Sequence, residues 1–303
     1  METKLAIVAD DNTGATDAAG MVAAAGLRPL FLVDAAAFRP ELAAEFDSLV
    51  LGTQSRSIPA DRAWEVSENA FRRLREHGVG LIQFKFCSTF DSTPKGNIGP
   101  TLDAAQEVFG FSSAIVAPAF AENGRTTYMG HHFVFGEILS ESPLRNHPLN
   151  PMTDSNLVRW LGYQTEEKVG LLSLEEMRES GEALRRARSS AESNGARYLI
   201  ADGIAQSDQE RLVEAFPEDT FWSGSSGISA ALAKRFATGK HPTVYELPAG
   251  GRTLVVSGSR SDHSHAQLDW AREHGFSMVP LSPSDVLSGK IDDKSVAEAV
   301  VRS

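Results

Sequence analysis

The side chains of this chain best suited to chemistry are acids, lysines and small hydroxyls gathered in a few short stretches. Asp10 and Asp11 stand side by side after the apolar run Lys4 to Ala9, with Asp17 a little farther on. Adjacent like charges repel, so capping of the following helix by one aspartate leaves the other unexplained. Either acid can accept a hydroxyl hydrogen bond or take its proton, with Asp11 the better candidate for a base. Gly14 and its small neighbours let a ligand approach the N-terminus of that helix closely. The stretch FKFCSTFDSTPKGNIGP, Phe84 to Pro100, adds Lys85, Cys87, Ser88, Asp91, Lys95 and Asn97. Its two lysines suit a carboxylate or a phosphate. Lys85, between Phe84 and Phe86, is poorly placed for simple solvation, whereas Lys95 beside Gly96 also reads as a solvated surface charge.

Farther on, APAFAENGRTTYMGHHFV supplies Arg125, whose planar fork matches a carboxylate. His131 and His132 are adjacent, and neighbours in a strand point to opposite faces, so they make a poor pair of metal ligands. Neither H-E-x-x-H nor C-x-x-C occurs, and ligation of a metal by protein side chains is not expected. Cys87 as a nucleophile lacks a histidine partner specified by spacing and reads better as a small buried thiol. SGSSG and VVSGSRSDH each place small residues and free amides before a helix, where anions bind, although neither matches a P-loop. Plain helix capping explains either of them equally well.

Charge and composition narrow the function classes. The 303 residues are 42% apolar and 23% charged, as in an ordinary soluble protein, and leave room for about two domains. A formal charge of −11, with no dense basic block, argues against a nucleic-acid partner but leaves room for a small anion. One cysteine allows no internal disulfide. No apolar run reaches about 18 residues, and METKLAIVADD lacks the plan of a secretory signal, so no membrane partner and a cytoplasmic location are expected.

The elements that must hold these side chains alternate. KLAIVA, RPLFLVD, DSLVLGT, GLIQFKF, SSAIVAPAF and RYLIADG read as short buried strands. Helical stretches separate them, such as the Ala-rich segment ended by Gly26 and PADRAWEVSENAFRRLREHG, with Pro59 at its start. This pattern predicts an α/β fold with a mostly parallel sheet. Ligands of such sheets bind beyond the carboxyl ends of the strands, where Asp10, the Cys87 loop and AFAENGR all fall. The stretch from Phe133 to Lys168 reads as an irregular surface connection leading to a short helix capped by Thr153 or Asp154. LSLEEMRESGEALRRARSSAESNG reads as one charged helix. Residues 1–245 form the expected ligand domain. Residues 246–303 hold two further βα units, too few to cover a parallel sheet, so this second domain reads as the incomplete start of a larger one.

The segments IVADDNTGATDAA, FKFCSTFDSTPKGNIGP, PAFAENGRTTYMGHHFV, RNHPLNPMTDSNLVR, SGSSG and LVVSGSRS together resemble the four-carbon acid sugar kinase family, in order and over nearly the whole chain. The nearest likeness is to its 3-oxo-tetronate 4-kinases. Asn12 departs from the pattern, standing where a bulkier apolar residue is common. The resemblance implies ATP-dependent phosphorylation of the terminal hydroxyl of a four-carbon sugar acid. It implies an N-terminal substrate domain and a C-terminal nucleotide-binding domain, with Mg²⁺ carried on ATP. It makes Asp11 or Asp10 catalytic and assigns the substrate to Gly14, Lys85, Ser88, Asp91, Lys95, Asn97 and Arg125. ATP would meet Ser257, Gly258 and Ser259. The family's later glycine-rich GG[DE]TS-like segment does not occur here, so a fragment that binds the sugar acid without transferring phosphate is the rival expectation. Preference for threonate or erythronate and assembly as a homodimer stay open.

Overall fold

The computed structural model describes residues 3–39, 41, 44–147, 149–239, 250, 253–258 and 262–302. The chain divides into two units, Met1–Val244 and Tyr245–Ser303. The first is built on eight parallel strands: β1 (Leu5–Ala9), β2 (Pro29–Leu32), β3 (Ser48–Gly52), β4 (Ile82–Lys85), β5 (Ala114–Ala117), β9 (Lys168–Leu172), β10 (Ala196–Ala201) and β11 (Phe221–Gly224). Their order across the sheet is β2-β3-β1-β4-β11-β5-β10-β9.

Both faces of the sheet are covered, which is why its strands are apolar throughout. Along β1, Leu5, Ile7 and Ala9 enter one core while Ala6 and Val8 enter the other. The first core is closed by α1 (Asn12–Ala24), α5 (Leu174–Glu179), α6 (Gly181–Ser193), α7 (Gln206–Ala215) and α8 (Ser226–Lys234), through residues such as Ala18, Met177, Leu184, Leu212 and Leu232. The second is closed by α2 (Ala60–Glu76), α3 (Ile98–Phe109) and α4 (Leu157–Gly162), through Phe71, Leu74, Leu102 and Trp160. Each fully buried Leu or Ile contributes about 1.5–3 kcal/mol.

Several elements differ from the sequence reading. β11, four residues ending in a glycine, gives no periodic signal, yet it lies between β4 and β5 and pairs with both. β9 is another strand without a sequence signal. A hairpin sheet of β6 (Arg125–Tyr128), β7 (His131–Val134) and β8 (Glu137–Ile138) precedes the expected irregular connection and runs into its first residues. Met129 and Gly130 take positive φ angles of 50° and 72° in the first of its two-residue turns, as a twist-matched hairpin requires. The cap of α4 is Asn156, which accepts from the Arg159 amide at 3.0 Å. Asp154 instead pairs with the Arg159 side chain. The single charged helix is two, α5 and α6, separated at Ser180, which caps the second.

The second unit shows α9 (Asp262–Glu273), α10 (Pro283–Leu287) and α11 (Asp293–Arg302). The strand expected near residues 253–258 is exposed chain, without strand pairing among the described residues.

Candidate functional site

β1 and β4 lie side by side, with Ala9 opposite Lys85, and the chain leaves them in opposite directions. β1 leads toward β2 at one edge, and β4 leads toward β5 in the other half of the sheet. Such a divergence opens a crevice beyond the carboxyl ends of the strands. Asp10 and Asp11 end β1, Lys85 to Asp91 follow β4, Gln54 and Arg56 follow β3, and Ser225 and Ser226 follow β11.

Asp11 caps α1: its Oδ1 accepts from the Gly14 amide at 2.8 Å. The repulsion between the paired acids is relieved by Arg56, a residue the sequence did not single out. Its Nε and Nη2 donate to the two oxygens of Asp10 at 2.9 and 2.8 Å, and its Nη1 donates to Asp11 at 2.9 Å. Asp91 is 3.8 Å away. Burial pushes the Asp10 carboxyl above its ordinary value, and the Arg56 charge and hydrogen bonds oppose that rise. Burial also works against the Arg56 charge, but Asp10 first and then Cys87 and Asp11 outweigh it and hold the guanidinium protonated. Only spatial proximity reveals this arginine, because TQSRSIP carries no periodic or motif signal.

Lys85 is 3% exposed and donates to the Phe86 carbonyl at 2.9 Å. Among the described residues it has no carboxylate within 4.0 Å. A buried ammonium with a single neutral acceptor retains protons for an anion, since leaving it unpaired is costly. Gly14 shows how closely the acid and the ammonium converge. A side-chain carbon on Gly14 would lie 2.6 Å from Asp11 Oδ1 and 2.7 Å from Lys85 Nζ, closer than either could tolerate. The glycine therefore lets an acid and an ammonium approach the start of α1 from two sides.

Arg125, on β6, faces the same rim. It lies within Coulombic reach of Cys87 and Asp17, and Cys87 is also within reach of Arg56. Burial lowers the Arg125 pKa, and these neighbours partly restore it. Its guanidinium lies 4.7 Å over the Phe135 ring, while its Nε is buried without a partner. Asp17 accepts from the Ser226 hydroxyl at the start of α8. Behind Arg125, His132 is fully buried and bonded through Nδ1 to Thr127 at 3.0 Å. Burial holds its pKa down to about 4, against the Ser88 backbone, which raises it.

A cavity of about 410 Å³ opens on the other side of Asp11, lined by Asp10, Asn12, Gln54, Arg56, Asp91 and Asn150 among others. Of the expected residues, Asp10, Asp11, Gly14, Lys85, Ser88, Asp91 and Arg125 thus gather along one rim. Two do not join them. The Asn97 side chain is buried and donates to the Ser55 and Ile58 carbonyls, clamping two loops together. Lys95 is exposed and outside the cavity lining. Cys87 contacts Thr89 Oγ1 at 3.1 Å. Ser257 and Gly258 are exposed, and Ser259 lies outside the described residues. Among the described residues no three His, Cys, Asp or Glu side chains cluster as a metal cage, and no helix is long and apolar enough to cross a membrane.

Comparison with known proteins gives this geometry a context. A family model described as a sugar-binding N-terminal domain matches residues 5–232. The chain is 40% identical over 309 aligned residues to a 3-oxo-tetronate kinase of Methylobacterium radiotolerans, covering 99% of the chain and 71% of that protein. It spans 62% to 65% of further curated relatives of the same name. A solved Haemophilus influenzae structure superposes with a TM-score of 0.74 at 35% identity, over 88% of this chain and 65% of that one. A Bordetella bronchiseptica domain, crystallised with bound citrate as a domain-swapped dimer, superposes with a TM-score of 0.65 at 26% identity, over 97% and 68%.

Proposed function

The chain belongs to the four-carbon acid sugar kinase family, and from that premise we propose that it grips the sugar acid for an ATP-dependent kinase. The reaction is phosphorylation of the terminal hydroxyl of a four-carbon sugar acid, 3-oxo-tetronate to its 4-phosphate. The observation that carries this reading is the convergence of the Asp11 carboxylate and the buried Lys85 ammonium beside Gly14, with no ion pair within 4.0 Å joining them. Lys85, with Arg125 on the same rim, takes the carboxylate of the substrate through charge-assisted hydrogen bonds. Asp11 accepts from the attacking hydroxyl and fixes its direction, as phosphoryl transfer through a loose transition state demands. Asp10, buried and held at both oxygens by Arg56, anchors that arrangement. A related domain that holds citrate supports a site for a small hydroxylated carboxylate.

In such a reaction ATP supplies the phosphoryl group and Mg²⁺ neutralises its charge. Among the described residues no three His, Cys, Asp or Glu side chains gather as a metal cage, and the roles assigned here concern the sugar acid alone.

Calorimetry of this chain with 3-oxo-tetronate or threonate, with and without Mg-ATP, tests the reading. Binding of the acid without nucleotide, abolished in Lys85→Met, is the expected result. Equal affinity for the acid and for a neutral tetritol would overturn it. Heat from the acid with none from Mg-ATP would assign the 303 residues to binding alone.

A further inference from the structure

Two of the cations along this rim, Arg56 and Lys85, are committed unequally. Arg56 is fully committed: Asp10 takes Nε and Nη2, Asp11 takes Nη1 and lies 2.8 Å from Nη2 as well, and Asp91 sits at 3.8 Å. Among the described residues Lys85 makes one hydrogen bond, to the Phe86 carbonyl, and lies within Coulombic reach of Asp10 without an ion pair to it. Yet Lys85 Nζ and Asp11 Oδ1 both lie within 2.7 Å of one point beside Gly14, and no ion pair within 4.0 Å joins them. A buried ammonium and a carboxylate this close attract strongly in a medium less polar than water. Something must satisfy Asp11 well enough to keep the two apart. Its oxygens already accept from the Arg56 guanidinium and the Gly14 amide.

We propose that Arg56 is a positioning residue that holds Asp11 away from Lys85, keeping the ammonium available for the carboxylate of an incoming sugar acid. The identity of the ligand rests on the proposed function; the division of charges does not. Without the guanidinium, Lys85 becomes the nearest cation to Asp11. The pair then closes beside Gly14 and takes up the Lys85 protons that the acid would use.

Crystal structures and acid calorimetry of Arg56→Gln test this. Lys85 Nζ is expected within ion-pair distance of Asp11, with affinity for threonate reduced about tenfold or more, the scale of one charge-assisted hydrogen bond. Adding Asp11→Asn to Arg56→Gln removes the carboxylate that captured Lys85, and Lys85 Nζ is expected back on the Phe86 carbonyl in the double variant's crystal structure. A merely structural arginine leaves Lys85 where it is in both variants. Lys85 unmoved in Arg56→Gln, or Lys85 still displaced in the double variant, overturns the proposal. If Arg56→Gln fails to fold with Asp10 left uncompensated, the Asp10→Asn/Arg56→Gln pair removes both members of that buried contact and carries the same readout. Wild-type chain without affinity for any four-carbon acid would defeat the sugar-acid reading. The position of Lys85 would still decide the role of Arg56.

Discussion

Two buried aspartates end strands in opposite halves of the same sheet, and they are neutralised by different means. Asp10, after β1, is 3% exposed and rests on the Arg56 guanidinium. Asp202, after β10, is fully buried and accepts from three backbone amides: Met129 at 2.8 Å, Gly130 at 2.9 Å and Leu174 at 3.1 Å. Burial raises both carboxyl pKa values, opposed by Arg56 in one case and by the amides in the other. Amides cannot move without the backbone, so Asp202 ties the β6–β7 turn to the start of α5. A guanidinium can be shared, so Asp10 brings Arg56 to Asp11 beside a second, uncommitted cation. An acid at a strand end therefore marks a site only when mobile charge gathers around it.

The contrast can be broken at either end. Lys85→Met should lower affinity for the acid about a hundredfold or more yet leave the melting temperature unchanged or higher, because an apolar side chain of similar volume relieves a buried charge. Calorimetry and thermal melts check both halves. Asp202→Ala should cost about 2–3 kcal/mol of stability in a denaturant titration, as three buried amides lose their acceptor. It should also leave acid affinity within about twofold, and loss of binding at full stability would erase the distinction drawn here.

His132 sharpens the structural side. Burial holds its pKa at about 4 in the folded chain, against 6.5 for an ordinary histidine. The unfolded chain therefore binds more protons between those values, and stability falls as pH falls through that window. Lowering the pH from about 6.5 to about 5 should cost about 1.5 kcal/mol through this group, and His132→Gln should remove that component of the slope. Gly14→Ala should lower acid affinity about tenfold, because its methyl, 2.6 Å from Asp11 Oδ1 and 2.7 Å from Lys85 Nζ, displaces both groups, while alanine favours the helix by up to about 1 kcal/mol. Lys95→Ala should change affinity less than about twofold, as expected of an exposed charge.

Much of the frame was legible because it is local. The apolar runs of β1, β3, β4, β5 and β10 announce strands covered on both faces, and Pro59, with Gly78 beyond the last turn, brackets α2. β11 was not legible: FWSG is too short to show a period, and its place between β4 and β5 is set by partners distant in sequence. Lys85, flanked by two phenylalanines, reads from sequence as a lysine poorly placed for solvation, and it is buried. The Asn97 amide, in a polar loop that suggests ligand contact, donates to the Ser55 and Ile58 carbonyls, partners that loop composition does not reveal.

By itself the sequence determined the α/β class and placed the acids, lysines and Arg125 at strand ends, because apolar periodicity and turn residues act over a few positions. Tertiary structure alone decided which charges meet. Arg56 reaches Asp10 and Asp11 only because β3 packs against β1, and Lys85 is left uncommitted only because that arginine has already satisfied the aspartates. Charge balance in a buried crevice is a property of neighbours in space, and chain order does not encode it.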